Sequence, residues 1–168
     1  MGLLSELAVW GMEHSGLTGT IPSEIGNLTN LIFLDLDYNA LTGSLPTELY
    51  TLVNLTQLDL NDNRLSGNIR GVDSFPEMQF LQLHSNLFTG KVPVGVGAYT
   101  EMDTFTLHNN SITGVMPFPI CNLLSTPNGG GNLTSLIADC DLPNPKIVCD
   151  CCTDCRGAPL EPPNNIVP

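Results

Sequence analysis

Six cysteines, at positions 121, 140, 149, 151, 152 and 155, all fall in the last third of this 168-residue chain and close in the run CDCCTDC. Thiols crowded in this way can do two kinds of chemistry. They can oxidise in pairs, or Cys149, Cys151, Cys152 and Cys155 can bind zinc as thiolates. Zinc sites ordinarily set one Cys-x2-Cys knuckle against a distant second pair, and this run has no such second pair. The reading is therefore a disulfide-stapled end without metal, involving Cys121, Cys140, Cys149, Cys151, Cys152 and Cys155. Cys121 and Cys140 are expected to close the Gly-rich insertion PNGGG that lies between them, which leaves four cysteines for two further bonds.

No other chemistry stands out. The chain carries no GxSxG, no HExxH and no phosphate-cradling glycine motif, and the run VPVGVGAY is too short to serve as one. Neither an enzyme nor a cofactor is expected. Only 5 Lys and Arg stand against 17 Asp and Glu, a net charge of -12, so the surface repels phosphate backbones and anionic headgroups. Nucleic acid is excluded as a partner, and basic or neutral ligands fit better. No apolar stretch approaches the roughly 20 residues of a membrane span. The apolar start, MGLLSELAVWGM, lacks a cationic lead and is broken by Glu6, which makes it a poor secretory signal.

A repeat gives that segment a better use. LDLDYNALTGSLP (34–46), LDLNDNRLSGNIR (58–70), LQLHSNLFTGKVP (81–93) and FTLHNNSITGVMP (105–117) align, with Asn at 39, 63, 86 and 110 and Gly at 43, 67, 90 and 114. Leu4, Leu7, Trp10 and Met12 take the places of Leu28, Leu31, Leu34 and Leu36, so residues 1–120 hold about five units of 23–24 residues. Trp10 is then a core residue. The alternation of Leu34 with Leu36, or Leu58 with Leu60, predicts a short strand whose alternate side chains point inward. Asn39, Asn63, Asn86 and Asn110 should form a ladder, each amide bonding the backbone of its own and the next turn. Ser15 holds this place in the first unit, with a shorter reach.

The register then exposes one face of a parallel sheet. Its candidate ligand-binding residues are Phe33, Asp35, Asp37, Tyr38, Gln57, Asp59, Asn61, Phe80, Gln82, His84, Thr106 and His108. His84 and His108 share a column, as do Asp35 and Asp59, and His14 lies on the same face. Phe33, Tyr38 and Phe80 would be aromatic anchors, and the His pair would respond to pH.

The string LTGTIPSEIGNLTNLIFLDLDYNALTGSLPTELYTLVNLTQLDL resembles the plant-type leucine-rich repeat, a likeness that runs from residue 4 to about 120. It is similar to the ectodomains of plant receptor-like kinases and receptor-like proteins, and to secreted polygalacturonase inhibitors. The resemblance implies an α/β-type repeat solenoid, a right-handed superhelix with short parallel strands on its concave face and a second strand at each LTGxIP segment. It implies a non-catalytic, extracellular recognition module for a peptide, protein or glycan, part of a receptor-like protein and open to a co-receptor. A wall-associated or adhesive scaffold and a secreted enzyme inhibitor are the alternatives. The column Thr18, Thr42, Thr89 and Thr113, broken by Ser66, would serve the scaffold.

Two units depart from the pattern. Arg70 stands where Pro is expected and GVDSFPEM replaces the usual helical segment, while VGVGAYTEM is equally irregular; a looser outer face is expected there. The Cys-containing cap that precedes the first repeat in this family is also absent. That points to a fragment, a truncated gene model or a domain that continues upstream, with exposed core at that end.

Residues 121–155 read as an imperfect terminal repeat and a Cys-rich cap that resembles the terminal caps of microalgal leucine-rich-repeat proteins. In that repeat Leu133 and Leu136 take the places of Leu28 and Leu31. Residues 156–168 are a Pro-rich linker or a disordered tail. Sequons at Asn27, Asn54, Asn109 and Asn132 mark glycosylation sites on a secreted or cell-surface protein.

Overall fold

Each repeat opens with a strand only three residues long, because the αL residue and the ladder Asn that follow turn the chain off the sheet. In the computed structural model, which describes residues 6–125, 130–141 and 145–156, the first five of these strands are Val9–Gly11, Phe33–Asp35, Gln57–Asp59, Phe80–Gln82 and Thr104–Thr106. They pair in parallel, Trp10 on Leu34, Leu34 on Leu58, Leu58 on Leu81 and Leu81 on Phe105. Ser135–Ala138 and Asp154–Cys155 extend the sheet to seven strands, two more than the repeat alignment provides. Leu4, the start of the PNGGG insertion and the Pro-rich stretch from 157 onward lie outside the described residues.

The chain leaves each strand through a non-glycine residue in the left-handed region: His14, Tyr38, Asp62, Ser85 and Asn109, with φ between 48° and 56°. The next residue is Ser15 in the first unit and the ladder Asn in the other four. Asn63 accepts from the Leu41 N–H at 2.9 Å and donates to the Leu36 carbonyl at 2.9 Å, and to those of Leu60 and Asn61 at 3.2 Å. Asn39, Asn86 and Asn110 repeat the arrangement. Each amide therefore reaches its own turn and the preceding one, not the next, because the turn that follows the Asn faces back along the stack.

A second, five-stranded parallel sheet follows the turn, from Thr18–Thr20 through Ala40–Ser44, Arg64–Asn68 and Leu87–Gly90 to Ser111–Ile112. Its bend needs glycine: Gly43 has φ +78°, and a Cβ there would meet Thr20 Cγ2 at 2.8 Å. The Thr42 and Thr89 hydroxyls donate to the Gly19 and Gly67 carbonyls at 3.2 Å, so these members of the Thr column are already engaged.

Pro22, Pro46 and Pro93 then lead, in extended conformation, into single 3-10 turns at Ser23–Asn27, Thr47–Thr51 and Val94–Ala98, and Pro117 leads into a short helix at Phe118–Cys121. Where Arg70 replaces Pro, the residue joins the turn itself, Arg70–Asp73. The segment that follows is not loose. Phe75 and Met78 are fully buried, and the buried Tyr99 hydroxyl accepts from Phe75 N–H and donates to the Val72 carbonyl, both at 2.8 Å. The irregular fourth unit supplies that tyrosine, so the two departures from the pattern brace one another. Burial pushes the Tyr99 pKa up to about 12.

Inside, like residues stack in columns: Leu31, Leu55, Met78, Met102 and Leu133 form one, and Leu34, Leu58, Leu81, Phe105 and Leu136 another. Most are fully buried, and each contributes roughly 1.5–3 kcal/mol relative to exposure. Leu133 and Leu136 thus occupy the places of Leu31 and Leu34, not of Leu28 and Leu31. The insertion absorbs the offset, and pairing of Leu136 with Phe105 sets the register.

The cysteines form three disulfides, Cys121–Cys151, Cys140–Cys155 and Cys149–Cys152. Cys121 and Cys140 do not pair with each other, contrary to the expectation from the insertion. Cys121 ends the outer helix, whereas Cys140 follows a concave strand, so the body of the solenoid lies between them. Each is tied instead to the CDCCTDC run, which crosses the end of the stack. That run is preceded by Ile147–Val148, which pairs with Gly114–Val115, and it ends in the seventh concave strand.

Candidate functional site on the concave face

The pleat sends every second strand residue outward, and the parallel register stacks these residues in rows. One row carries Phe33, Gln57, Phe80, Thr104 and Ser135, and the next Asp35, Asp59, Gln82, Thr106 and Ile137. Two residues further on, the chain places Asp37, Asn61, His84 and His108 side by side. Phe33 and Phe80 are half-buried, and Tyr38 is exposed and stacked on His14 with ring centroids 4.3 Å apart.

Several outward side chains are nonetheless buried: Asp59, Asn61, Thr106 and His108 are 4–5% exposed. Their neighbours cover them. Gln57 and Gln82 donate to the two Asp59 carboxylate oxygens at 2.7 and 2.9 Å. The Asn61 amide nitrogen donates to Asp62 at 3.0 Å and to Asp37 at 3.4 Å. The His84 and His108 rings stack at 4.6 Å, tilted by 7°. His84 Nδ1 lies 2.8 Å from the Thr106 hydroxyl and its Nε2 lies 3.7 Å from Asp62. With Asp62 beside Nε2, the network assigns the proton to Nε2 and leaves Nδ1 to accept from Thr106.

Electrostatics divides the face. Burial, followed by Asp35, raises the Asp37 pKa above the ordinary carboxylate range, and burial raises that of Asp59 against the two Gln bonds. Burial lowers the pKa of His84 against the pull of Asp62. His108 falls to about 4, through burial first and then His84 and Arg156. His84 and His108 are therefore neutral at neutral pH. The face is thus most acidic over the second and third strands, while the fourth and fifth carry the neutral His84–His108 pair, with Asp103 at their edge.

The hydroxyl, imidazole and carboxylate of Thr106, His84 and Asp62 have the order of a nucleophile relay. At 3.7 Å the Asp62 contact is longer than a hydrogen bond, and Thr106 is 5% exposed, so the arrangement orders the face and presents no attacking group. No group of three or more His, Cys, Asp or Glu among the described residues could hold a metal ion.

Asp139 is the residue that the repeat pattern misses, because it lies in the last, irregular turn. It is 3% exposed and accepts from the Asn109 and Asn110 N–H groups at 2.8 and 3.1 Å. In the second, third and fourth turns those N–H groups bond the backbone carbonyls of the next repeat. Lys146 lies 3.6 Å from the same carboxylate and donates to the Asn110 carbonyl. One signal was available: an acid three residues after a buried strand leucine, at the Asp37 place.

The sequon residues Asn27, Asn54 and Asn132 are exposed away from this face. Asn109 is half-buried within it, in the left-handed turn beside Ser85.

The class that this fold and face define is the leucine-rich-repeat solenoid. The family model described as Leucine Rich Repeat matches residues 30–52 and 54–72. Among solved structures, the chain is similar to the plant peptide hormone receptor RGFR1 in complex with RGF2, with 31% identity and a TM-score of 0.73 over 82% of this chain and 22% of that one. It is similar to PEPR1 in the PEPR1–AtPEP1 structure, with 34% identity and a TM-score of 0.67 over 70% of this chain and 17% of that one. The BIR2 ectodomain from Arabidopsis thaliana is 30% identical, with a TM-score of 0.63 over 73% of this chain and 66% of that one. No curated protein sequence matches. The chain carries leucine-rich repeats and is similar to plant receptor ectodomains, and it spans 14–22% of the length of three of the receptors it matches. No helix among the described residues is long and apolar enough to cross a membrane.

Proposed function

We propose that this chain is the non-catalytic recognition part of an extracellular, receptor-like protein, and that it binds a peptide or protein segment across its concave face. The observation that carries this reading is the composition of the face. Half-buried Phe33 and Phe80, exposed Tyr38 and a connected set of carboxylates, amides and imidazoles occupy consecutive parallel strands. Aromatic anchors beside fixed polar groups suit an extended chain lying across strands about 4.8 Å apart. The complexes of RGFR1 with RGF2 and of PEPR1 with AtPEP1 support a peptide over a glycan. The three disulfides fit an oxidising, extracellular compartment. The sequons at Asn27, Asn54 and Asn132 then carry glycans on surfaces away from the face. The test is hydrogen exchange of the oxidised chain with a panel of extended synthetic peptides. Slowed exchange confined to residues 33–38, 57–62 and 80–85 is the expected result. Binding that leaves these segments unchanged would sink the reading.

A further inference from the structure

We propose that the acidic half of the concave face seats a cation, the guanidinium of an arginine in a basic peptide, over Asp35, Asp37, Asp59 and Asn61; this rests on the recognition reading above. The charges come first. Among the described residues Lys146 is paired with Asp139 and Arg156 with Asp154, and no Lys or Arg approaches Asp35, Asp37 or Asp59 within salt-bridge distance. Three carboxylates on two adjacent strands therefore face one another with no Lys or Arg among them, His14 being the base that acts on Asp37, against the backdrop of a chain with net charge -12.

The second observation is independent of charge. Among the described residues, three buried side-chain polar atoms have no hydrogen-bond partner: Asp37 Oδ1, Asn61 Oδ1 and His108 Nδ1. All belong to the same row of this face. Asn61 is 4% exposed, and its amide nitrogen is held between the Asp37 and Asp62 carboxylates. Reversing the amide would set its oxygen against two carboxylates, so the orientation is fixed and Oδ1 is left as an unanswered acceptor. Asp37 Oδ1 is another such oxygen, one strand away. A ligand that completes this corner must bring donors and positive charge together.

A guanidinium supplies both. Its planar fork can bridge a carboxylate and a neighbouring amide oxygen, which a single ammonium does less well. The apolar stem of an arginine also finds a rest here, because Phe33 lies in the row beside Asp35 and the Tyr38–His14 stack forms the rim. A carboxylate or phosphate ligand would meet repulsion and no free donor at this corner.

The probe is Nα-acetyl-arginine amide, titrated into the oxidised full chain and followed by 1H–15N NMR at the Asn61 side-chain amide and the backbone of residues 35–38 and 59–62. The citrulline analogue, of the same shape but neutral, is the control. Saturable shifts with arginine, at least tenfold weaker with citrulline and at least tenfold weaker in Asp37→Asn, are the expected result. Asp35→Asn, at a carboxylate that accepts the Asp37 N–H, serves as a second variant, with circular dichroism to show that both are folded. Equal shifts with citrulline, or arginine binding unaffected by either variant, would overturn the cation site. A peptide panel varied at one position between Arg, Glu and Ala separates the two proposals. Peptides that protect the face with no preference for Arg overturn this inference alone. A panel in which no peptide touches the face overturns both.

Discussion

The two ends of the solenoid solve the same problem differently. At the C-terminal end the last full repeat is closed by two further concave strands, a carboxylate that replaces missing backbone acceptors, and three disulfides. At the N-terminal end of the described residues Leu7, Trp10, Met12 and Leu17 are only partly buried, and Trp10, Leu17, Ile21, Ile25 and Leu41 line an apolar cleft. A repeat array gains its stability from neighbouring interfaces, so a turn with one neighbour holds about half of what an interior turn holds. The difference shows that a covalent and ionic cap can stand where another repeat would otherwise be needed.

The comparison can be broken most strongly by reduction. The Cys121–Cys151 and Cys140–Cys155 bonds close separations of 30 and 15 residues, each worth on the order of 3 kcal/mol. Urea unfolding with and without reductant should show a fall of roughly 6 kcal/mol for the two bonds together, and exchange at Thr104–Thr106 and Ser135–Ala138 should rise well before exchange at Phe33–Asp35. A uniform rise along the stack would mean that the cap does not act locally. Asp139→Ala comes next, at about 3 kcal/mol, because it leaves two backbone N–H groups and Lys146 without their acceptor. Asp139→Asn should recover part of that loss by offering one oxygen.

Asn63→Ala should cost about 2 kcal/mol and Asn39→Ala about half as much, measured as a shift in urea midpoint, because Asn63 is buried and Asn39 only half-buried. Equal losses would remove the contrast between interior and end. The smallest effect is in pH dependence. His108 has its pKa lowered to about 4, so the unfolded chain takes up a proton that the folded chain refuses. Stability should therefore fall as pH drops from about 6.5 towards 4, and His108→Gln should flatten that slope. Asp37 and Asp59, with raised pKa values, act in the opposite sense: the folded chain takes up protons first, so stability rises as pH falls through their range.

Periodicity made the solenoid and the rows of the concave face legible, because every Leu, Asn and Gly of the repeat has a single geometric task. Asp35 over Asp59 and His84 over His108 follow directly from the alternation and the period. What the period could not give lies where it stops. The Leu133 and Leu136 register slipped because the insertion has no repeat to align with, and the pairing of Cys121 depended on which side of the core each cysteine reached. Burial on the face was also invisible, since an outward residue such as Asn61 is covered by its neighbours in space, which lie about two dozen positions away in sequence. Tyr99 illustrates the same limit: two irregular turns looked weak singly, and their shared hydrogen bonds appear only when they are stacked.

Each of the first five concave strands leads to a side chain held near φ 50°, a backbone geometry that glycine adopts at about 1 kcal/mol less cost. His14, Tyr38, Asp62, Ser85 and Asn109 therefore form a line of positions that contribute nothing to the core and already tolerate strain. Along the chain they are 23 or 24 residues apart; across the sheet they are nearest neighbours. For anyone wishing to change what the molecule recognises, this line is a keyboard whose keys touch: Asp62 also holds the Asn61 amide, and His14 and Tyr38 move as a stacked pair.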